Sequence, residues 1–373
     1  MISQLVVHIG DPKAGSTALQ NVLSRGGWQS DVSLIYLSDF NNSNLVRAIK
    51  DPLAKKQENI LFGQIAVKMS KSDAMAGVLS AEGFSTVQPE RLMAALTRHM
   101  PSLVGNMRII LYLRPHLERL TASFAENIKR GVGGSDVEQF HVQTLKSGDF
   151  LYFPRVAAWR AVFGERLIVR PMVRSELVQG DIVADFLSLA LDGAPFEVTE
   201  RGGSNASLSL EDLAMLRFAH GIIQARATTS TDRAHQALGW RIATILSDLP
   251  STQSTKFALP RTLAEDAAVA YTEDAKMLDN QLFKREIMLP ALLHGIEAAP
   301  LKPQSLYAVD HFTPETLRLI KAWAAVIVPV LQDDPLAAKR MFWSDLIAPR
   351  YLTSSTQTVF RERARRLIGR LMR

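Results

Sequence analysis

A loop near the amino terminus combines residue types that bind phosphate. The apolar run Leu5–Ile9 predicts a strand, and helical spacing follows residue 17. A tight loop from a strand into a helix presents backbone N–H groups at the positive end of the helix dipole, which attracts anions. Gly10 and Gly15 allow close backbone approach, and Lys13 adds a full positive charge. The residues expected to contact the anion are Pro12, Lys13, Ala14, Gly15, Ser16 and Thr17. The alternative is a Gly/Pro turn that carries a surface lysine.

The order of residues in this loop distinguishes between classes of phosphate-binding protein. In a nucleoside-triphosphate loop, the lysine stands immediately before the Ser or Thr that ligates magnesium. Here Gly15 occupies that position and Lys13 lies two residues earlier, which is a poor match to that class. The pattern closely resembles the 5′-phosphosulfate loop of sulfotransferases that use 3′-phosphoadenosine-5′-phosphosulfate (PAPS). The residues that carry this resemblance run His8-Ile9-Gly10-Asp11-Pro12-Lys13-Ala14-Gly15-Ser16-Thr17, with Leu19-Gln20 following. The resemblance implies that N–H groups from Ala14 to Thr17 bind the 5′-phosphosulfate and that Lys13 stabilises the leaving phosphate.

A second motif begins with the strand predicted over Met107–Leu113. The strand ends in Arg114, whose guanidinium can hold a phosphate through two parallel hydrogen bonds. The following segment predicts a helix near His116–Arg130, on which a hydroxyl two turns along can point back at the arginine. The segment resembles the 3′-phosphate-binding motif of the same family, whose helix carries a serine. In bacterial members the motif ends in lysine and glycine, which Lys129 and Gly131 match.

The serine of this motif departs from the family pattern. Counting from Arg114 puts the usual serine position on Ala122, one residue before Ser123, and one residue is about 100° of helix rotation. Ser123 is the nominated ligand of the 3′-phosphate, and Thr121 is the alternative. Without the first loop, an ordinary salt-bridged arginine would be the preferred interpretation of Arg114. The separation between the two motifs reverses that preference.

Residues further along the chain are similar to the downstream scaffold of bacterial sulfotransferases. They are Tyr152, Trp159, Phe163, Gly164, Gly180, Asp181, Asp185 and Phe186. In the wider family an Arg-x-Gly element in the region of residue 201 touches the 3′-phosphate. The resemblance therefore implies Arg201 and Gly202 as further donor ligands, although a glycine-rich linker before a helix explains them equally well. The similarity covers roughly residues 5–215.

Sulfuryl transfer to a hydroxyl also needs a general base for the acceptor proton. Glu82 is the first choice, because Val78–Phe84 resembles the Ser-x-Glu segment of bacterial family members; the alternative is a capping or solvated carboxylate. His8 is the competing base, since histidine titrates near neutral pH, but its place inside the first strand favours a hydrogen-bonded structural histidine. His116, beside Arg114, is a weaker candidate. No histidine or carboxylate pair has convincing metal-ligand spacing, and this chemistry requires no metal.

The elements that must position these residues alternate between strand and helix over the first 200 residues. Strands are predicted at Leu5–Gly10, Ile60–Val67, Gly77–Leu79, Met107–Leu113 and Leu167–Pro171, with helices at Ser16–Ser24, Pro89–His99, His116–Arg130, Tyr152–Phe163 and Val183–Leu191. Such alternation predicts an α/β fold with a P-loop-like three-layer parallel sheet and ligands at the carboxyl ends of its strands. After about residue 208 only helical spacing remains. The expected organisation is a core over 1–205, a helical region over 206–350 and a basic tail over 351–373.

The charge of the chain is concentrated at its carboxyl terminus. The 373 residues carry 43 Lys and Arg against 37 Asp and Glu, a net of +6, and there is no cysteine. Six arginines against Glu362 give the last thirteen residues a net of +5, which leaves the body close to neutral and argues against nucleic-acid binding. Apolar residues of 360–373 share one helical face, which suits either an anionic membrane surface or packing on the chain's own domain. No signal peptide or spanning segment is apparent, so a cytoplasmic location is expected, with peripheral membrane contact through the tail.

Together these features predict a PAPS-dependent sulfotransferase that leaves 3′-phosphoadenosine 5′-phosphate as product. The resemblance to bacterial members implies a carbohydrate or glycolipid acceptor at the cell surface. One alternative is a P-loop nucleotide kinase, which would need magnesium and a strand-end Asp. The other is a non-catalytic scaffold that binds nucleotide with the same fold.

Overall fold

A five-stranded parallel sheet carries the predicted site residues. The structure, a computed structural model, describes residues 2–132, 136–200, 207–226, 232–249 and 255–344. The sheet contains β1 (Gln4–His8), β3 (Leu34–Tyr36), β4 (Ala76–Ser80), β5 (Met107–Leu113) and β6 (Leu167–Pro171), in the spatial order β3-β4-β1-β5-β6. A short antiparallel pair, β2 (Trp28–Ser30) and β7 (Phe196–Val198), forms a second sheet. Every residue of β1 and β4 is buried, as expected for parallel strands covered on both faces.

Helices connect most of the strands, and beyond residue 209 the described part of the chain contains helices and their connecting segments. They are α1 (Ser16–Arg25), α2 (Ser43–Lys50), α3 (Lys55–Ser70), α4 (Pro89–His99), α5 (His116–Arg130), α6 (Val137–Ser147), α7 (Phe153–Phe163), α8 (Ile182–Ala190), α9 (Leu210–Gln224), α10 (Asp232–Asp248), α11 (Arg261–Met277), α12 (Met288–Glu297), α13 (Pro314–Asp333) and α14 (Pro335–Ser344). The predicted α/β class, a parallel sheet flanked by helices with a helical carboxyl-terminal half, is confirmed. Within the described ranges, no helix is long and apolar enough to cross a bilayer.

The chain divides into two compact units. The first contains the sheet and consists of Met1–Ile128, Gly133–Leu210 and Gln253–Ser305. The second consists of Lys129–Val132, Glu211–Thr252 and Leu306–Arg373, and its buried apolar cluster joins α9, α10, α13 and α14. Of the described site residues discussed below, Lys129 and Gly131 belong to the second unit and the others to the first.

The segment Ile60–Val67, predicted as a strand, instead lies inside helix α3. A short apolar run has no periodicity that separates a strand from a helix. The buried side chains of α3 are Glu58, Phe62 and Ile65, at helical spacing, while Ile60 and Val67 are 46% and 52% exposed. One face of α3 therefore packs against the protein and the strand prediction was wrong.

The buried polar network of Asp185 holds the two strands on one side of the sheet to helix α8. The carboxylate of Asp185, which is fully buried, accepts hydrogen bonds from the Tyr112 hydroxyl on β5 at 2.8 Å and from Arg170 on β6 at 2.5 and 2.9 Å. Burial, followed by the negative charge of Asp185, raises the pKa of Tyr112 well above its ordinary value. These bonds satisfy charges that would otherwise be costly to bury.

Candidate active site

Three adjacent strands bring the predicted site residues to one edge of the sheet. Strand β1 lies between β4 and β5, with His8 in register with Ser80 on one side and Ile110 on the other. The connection that follows β1 leads to β3 on one side of the sheet, whereas the connection that follows β5 leads to β6 on the other side, and ligands of open α/β sheets bind at such a switch point, outside the carboxyl ends of the strands. The loop of residues 9–15 follows β1, Glu82 follows β4 by two residues, and Arg114 directly follows β5.

The loop after β1 is a tight turn with two left-handed residues. Lys13 and Gly15 both have left-handed backbones, with φ of 65° and 75°, and the Ala14 N–H donates to the Asp11 carbonyl at 3.2 Å. Helix α1 then begins at Ser16 with no side-chain cap and no acidic residue in its first turn. The positive end of the helix dipole therefore faces the loop without a carboxylate from its own first turn to neutralise it.

A buried ion triad that the sequence did not reveal lies under this loop. Asp11 is fully buried, and its carboxylate pairs with Arg155 at 2.7 Å and with Arg119 at 3.2 Å. Both guanidinium groups also lie over the ring of Tyr152, at 5.0 Å for Arg119 and 5.6 Å for Arg155. Burial raises the pKa of Asp11, and the two arginines partly offset that rise. The pairs attach the loop to α5 and α7, which carry Arg119 and Arg155. Without these partners the buried carboxylate of Asp11 would be costly.

The two predicted donor-binding cations meet at the loop. Lys13 Nζ lies 2.9 Å from Glu126 Oε2, and Arg114 Nη1 donates to the backbone carbonyl of Lys13 at 3.0 Å. Arg114 Nε also donates to Glu118 at 3.3 Å. The backbone carbonyl of Arg114 accepts a 2.6 Å hydrogen bond from the Tyr152 hydroxyl. The Arg114 side chain therefore holds the backbone of Lys13 in place.

Glu82, the predicted general base, is half-buried at the start of a short helical turn after β4. Burial raises the pKa of its carboxyl above the ordinary value of 4.5; Lys13 lowers it, the carboxylates of Glu126 and Asp11 raise it, and the Ser16 hydroxyl lowers it. The side chain thus lies in the electrostatic field of the loop and its lysine. A carboxylate with a raised pKa accepts a proton more readily than a solvated one, which suits a general base.

His8, the competing base, is a buried hydrogen-bonded side chain. Its Nδ1 lies 2.8 Å from the Ser80 hydroxyl, to which Gln20 also donates at 3.1 Å. Burial lowers the pKa of His8 to about 3, so the imidazole is neutral at physiological pH. The imidazole also contacts the position that a side chain on Gly10 would fill, which explains the glycine there. These contacts support the structural interpretation of His8.

His116 is held by an aspartate from a distant part of the chain. Its Nε2 lies 2.9 Å from Asp274 Oδ2 on α11, and its ring stacks on Tyr271 at 5.1 Å between centroids. Asp274 also accepts hydrogen bonds from the backbone N–H groups of Tyr152 and Phe153, at 2.9 and 2.8 Å. It thereby caps α7, the helix that carries Arg155. The sequence offers no local signal for this contact, because 158 residues separate the partners.

The remaining predicted ligands are distributed as follows. Pro12, Thr17 and Ser123 are partly exposed, while Ala14 and Ser16 are buried. On α5 the Thr121 hydroxyl donates to the Leu117 carbonyl of its own helix at 2.7 Å. Lys129 and Gly131 fall in the second unit, where the Lys129 carbonyl lies 3.2 Å from His220 Nε2. Arg201, Gly202 and the basic tail lie outside the described residues.

Comparison with solved structures adds a distant similarity. No family model matches the chain, and no curated protein matches it. Among solved structures, a sulfotransferase from Alicyclobacillus acidocaldarius is similar to this chain. The two share 10% sequence identity and a TM-score of 0.41 over 79% of this chain and 100% of the other. At that level of similarity, the residues of the site have to carry any functional conclusion.

Proposed function

We propose that this protein transfers a sulfuryl group from PAPS to an acceptor hydroxyl. The observation that carries the proposal is the placement of three residues. Lys13 lies in the loop that leads from β1 into an uncapped helix amino terminus, Arg114 directly follows the adjacent strand β5 and bonds the Lys13 carbonyl, and Glu82 lies two residues beyond the third strand, β4. A nucleotide with phosphates at both its 3′ and 5′ positions needs two separate cationic sites, and a transfer to a hydroxyl needs a base beside one of them.

The residues present fit a doubly phosphorylated nucleotide. The uncapped first turn of α1, from Gly15 to Thr17, offers backbone N–H groups, and Lys13 adds the charge that would hold the 5′-phosphosulfate. Arg114 would hold the 3′-phosphate, for which its planar guanidinium is suited. Ser123, on the helix that follows Arg114, is the proposed hydroxyl ligand.

The reaction exchanges one sulfur–oxygen bond for another. The acceptor oxygen attacks sulfur in line with the leaving group; a new S–O bond forms, the S–O bond to the 5′-phosphate breaks, and the proton of the hydroxyl passes to Glu82. Lys13 offsets the negative charge that grows on the departing phosphate oxygen, the largest electrostatic change in the step. The nucleotide leaves as adenosine 3′,5′-bisphosphate. A carbohydrate or glycolipid hydroxyl is the proposed acceptor, as the resemblance to bacterial sulfotransferases implies.

Calorimetric titration with adenosine 3′,5′-bisphosphate tests the donor site. The double variant Lys13→Ala, Arg114→Ala should bind at least about 100-fold more weakly than wild type, since each charge-assisted hydrogen bond contributes about 1.5–3 kcal/mol. The matched control is Lys68→Ala, Arg160→Ala, which removes the same residue types from exposed ion pairs with Asp39 and Glu165. Equal affinity in wild type and the site variant would refute the proposal. Magnesium-dependent binding of ATP in its place would favour the kinase.

A transfer assay tests the reaction itself. Wild type supplied with PAPS and a panel of glycans should yield products heavier by one sulfate, detected by mass spectrometry. Tight nucleotide binding without a sulfated product from any acceptor in the panel would favour a non-catalytic nucleotide-binding protein.

A further inference from the structure

Glu126 is the partner of the lysine on which the proposed chemistry depends. Its Oε2 lies 2.9 Å from Lys13 Nζ, and the two side chains are only 21% and 31% exposed. The pair bridges 113 residues of sequence, from the loop after β1 to helix α5. Solvent screens an ion pair at this degree of burial less than an exposed one. The Glu126 carboxylate therefore competes effectively with an incoming anion for Lys13.

We propose that Glu126 is a positioning residue that serves as an internal counter-ion for Lys13, and that the anionic donor binds by displacing it. The inference rests on the proposed function, because it concerns the same nucleotide. Without nucleotide, the Glu126 carboxylate occupies the place of the phosphosulfate charge and keeps Lys13 oriented toward the site. With nucleotide bound, Lys13 Nζ turns to the phosphosulfate and Glu126 is released.

The exchange requires only a side-chain movement. The backbone of Lys13 is held by the hydrogen bond from Arg114 Nη1 to its carbonyl and by the turn bond between Ala14 and Asp11. The lysine side chain has four rotatable bonds beyond this fixed backbone, so its ammonium can change partner while the loop keeps its conformation.

The corresponding pair at the other cation is weaker. Arg114 Nε donates to Glu118 at 3.3 Å, and the Glu118 side chain is 56% exposed. Exposed ion pairs contribute little to stability, so displacing Glu118 costs little. Most of the cost of exchanging carboxylate for phosphate therefore falls on Lys13 and Glu126.

Release of Glu126 also affects the proposed base. The groups that face Glu82 are Lys13, Glu126, Asp11 and the Ser16 hydroxyl. The positive charge of Lys13 lowers the pKa of Glu82, and the negative charges of Glu126 and Asp11 raise it. When Lys13 turns toward the donor, the carboxylate of Glu126 loses the positive charge of that lysine, and like charge favours the protonated form of a neighbouring carboxyl. Donor binding thus increases the proton affinity of Glu82 at the moment a proton acceptor is needed.

The test is calorimetric titration of adenosine 3′,5′-bisphosphate into wild type, Glu126→Gln, Glu126→Asp and Glu118→Gln. Glu126→Gln should bind about fivefold more tightly than wild type, and that gain should fall below twofold in a Lys13→Ala background. Glu126→Asp keeps the charge but withdraws it from Lys13 by one methylene, so its affinity should lie between the two. Glu118→Gln, the same charge change on the same helix, should stay within twofold of wild type.

The outcomes separate this inference from the proposed function. If wild type binds the nucleotide and Glu126→Gln binds it equally or more weakly, Glu126 does not compete for Lys13 and the inference fails alone. Equal tightening in Glu118→Gln would also overturn it, because the effect would then be one of net charge. If neither wild type nor any variant binds, both the inference and the proposed function fail. Thermal unfolding of each variant confirms that it is folded, and a purely structural role for Glu126 would weaken binding.

Discussion

Arg114 donates a hydrogen bond from Nη1 to the backbone carbonyl of Lys13 at 3.0 Å. The bond connects the loop after β1 to the end of the neighbouring strand β5, and the two residues lie 101 positions apart in the chain. It also holds a lysine whose backbone is left-handed, with φ of 65°, a conformation that non-glycine residues rarely adopt. The arginine proposed to bind one phosphate therefore positions the lysine proposed to bind the other.

Replacing Arg114 with lysine should separate charge from geometry. Lysine keeps the charge but loses the planar fork, so Arg114→Lys should bind adenosine 3′,5′-bisphosphate about tenfold more weakly and unfold about 1 kcal/mol more easily. Calorimetry and urea denaturation measure the two effects. Arg108→Lys is the control. Arg108 lies near the amino end of β5, away from the site, and donates a hydrogen bond to the Leu189 carbonyl at 2.7 Å. Its loss of stability should be similar, with unchanged binding. Unchanged binding in both variants would remove Arg114 from the site.

Glu82→Gln should lose activity and gain stability. Without the base, the rate of transfer should fall by about 10²–10⁴. Because burial raises the pKa of Glu82, the folded state binds this proton more tightly than the unfolded state, and stability declines as pH rises through the raised pKa. The glutamine variant avoids that loss, so its free energy of unfolding at pH 7 should exceed that of wild type.

The same raised pKa predicts where activity falls in acid. The acid limb of the transfer rate should lie above the ordinary glutamate value of 4.5, because protonated Glu82 cannot accept the acceptor's proton. In Glu126→Gln the limb should move to lower pH, since one of the carboxylates that raises the pKa is gone. Rates measured from pH 4 to 8 check both points. Full activity of Glu82→Gln at all pH values would show that another group is the base.

Gly15→Ala should disrupt the loop more than Gly26→Ala does. Both glycines have left-handed backbones, with φ of 75° and 65°, so each substitution costs about 1–2 kcal/mol in conformational strain. A Cβ on Gly15 would also lie 2.8 Å from Ile182 Cδ1, whereas one on Gly26 would meet nothing within 4 Å. Gly15→Ala should therefore be less stable than Gly26→Ala by at least about 1 kcal/mol and should bind nucleotide more weakly. Equal stabilities would mean that Ile182 moves aside freely.

Asp11→Asn should destabilise the protein strongly. The change leaves Arg119 and Arg155 beneath the loop without their carboxylate, and breaking a buried pair in this way costs about 3–5 kcal/mol. Asp192→Asn, which removes an exposed partner of Arg108, is the matched control and should cost less than about 1 kcal/mol. Chemical denaturation measures both. An Asp11→Asn protein that is as stable as wild type and binds nucleotide better would show that Asp11 only opposes the anion.

His8 should make the protein sensitive to acid. Its pKa falls from an ordinary 6.5 to about 3, so the neutral form stabilises the fold above pH 6.5, and that contribution is lost as pH falls toward 3. The loss attributable to His8 between pH 7 and pH 4 is about 3 kcal/mol. His8→Gln should lose that much less stability than wild type over the same range in urea unfolding. Identical losses in the two proteins would place the acid sensitivity elsewhere.

Strong local periodicity made most elements predictable. The strands Met107–Leu113 and Leu167–Pro171 and the helices Pro89–His99 and His116–Arg130 occur with the predicted bounds. The strand prediction at Ile60–Val67 was wrong because eight apolar-rich residues satisfy either period until the surrounding protein selects a buried face. The two-stranded pair of β2 and β7 escaped prediction since each strand has three residues, and 165 residues separate the Ser30 hydroxyl from the Pro195 carbonyl that it contacts.

Residue type and spacing were enough to nominate Lys13, Glu82 and Arg114, because loop chemistry and strand ends are local properties of the chain. Their pairing partners were not predictable. Asp11 looks like an ordinary loop residue until Arg119 and Arg155 close over it, and Glu126 is one of many helical acids until α5 brings it to Lys13. Electrostatic interaction depends on distance and burial, and both are set by how the sheet and helices pack. The local sequence determines which functional groups are present, whereas their pKa values and ion-pair energies depend on the distances and burial that the folded protein sets.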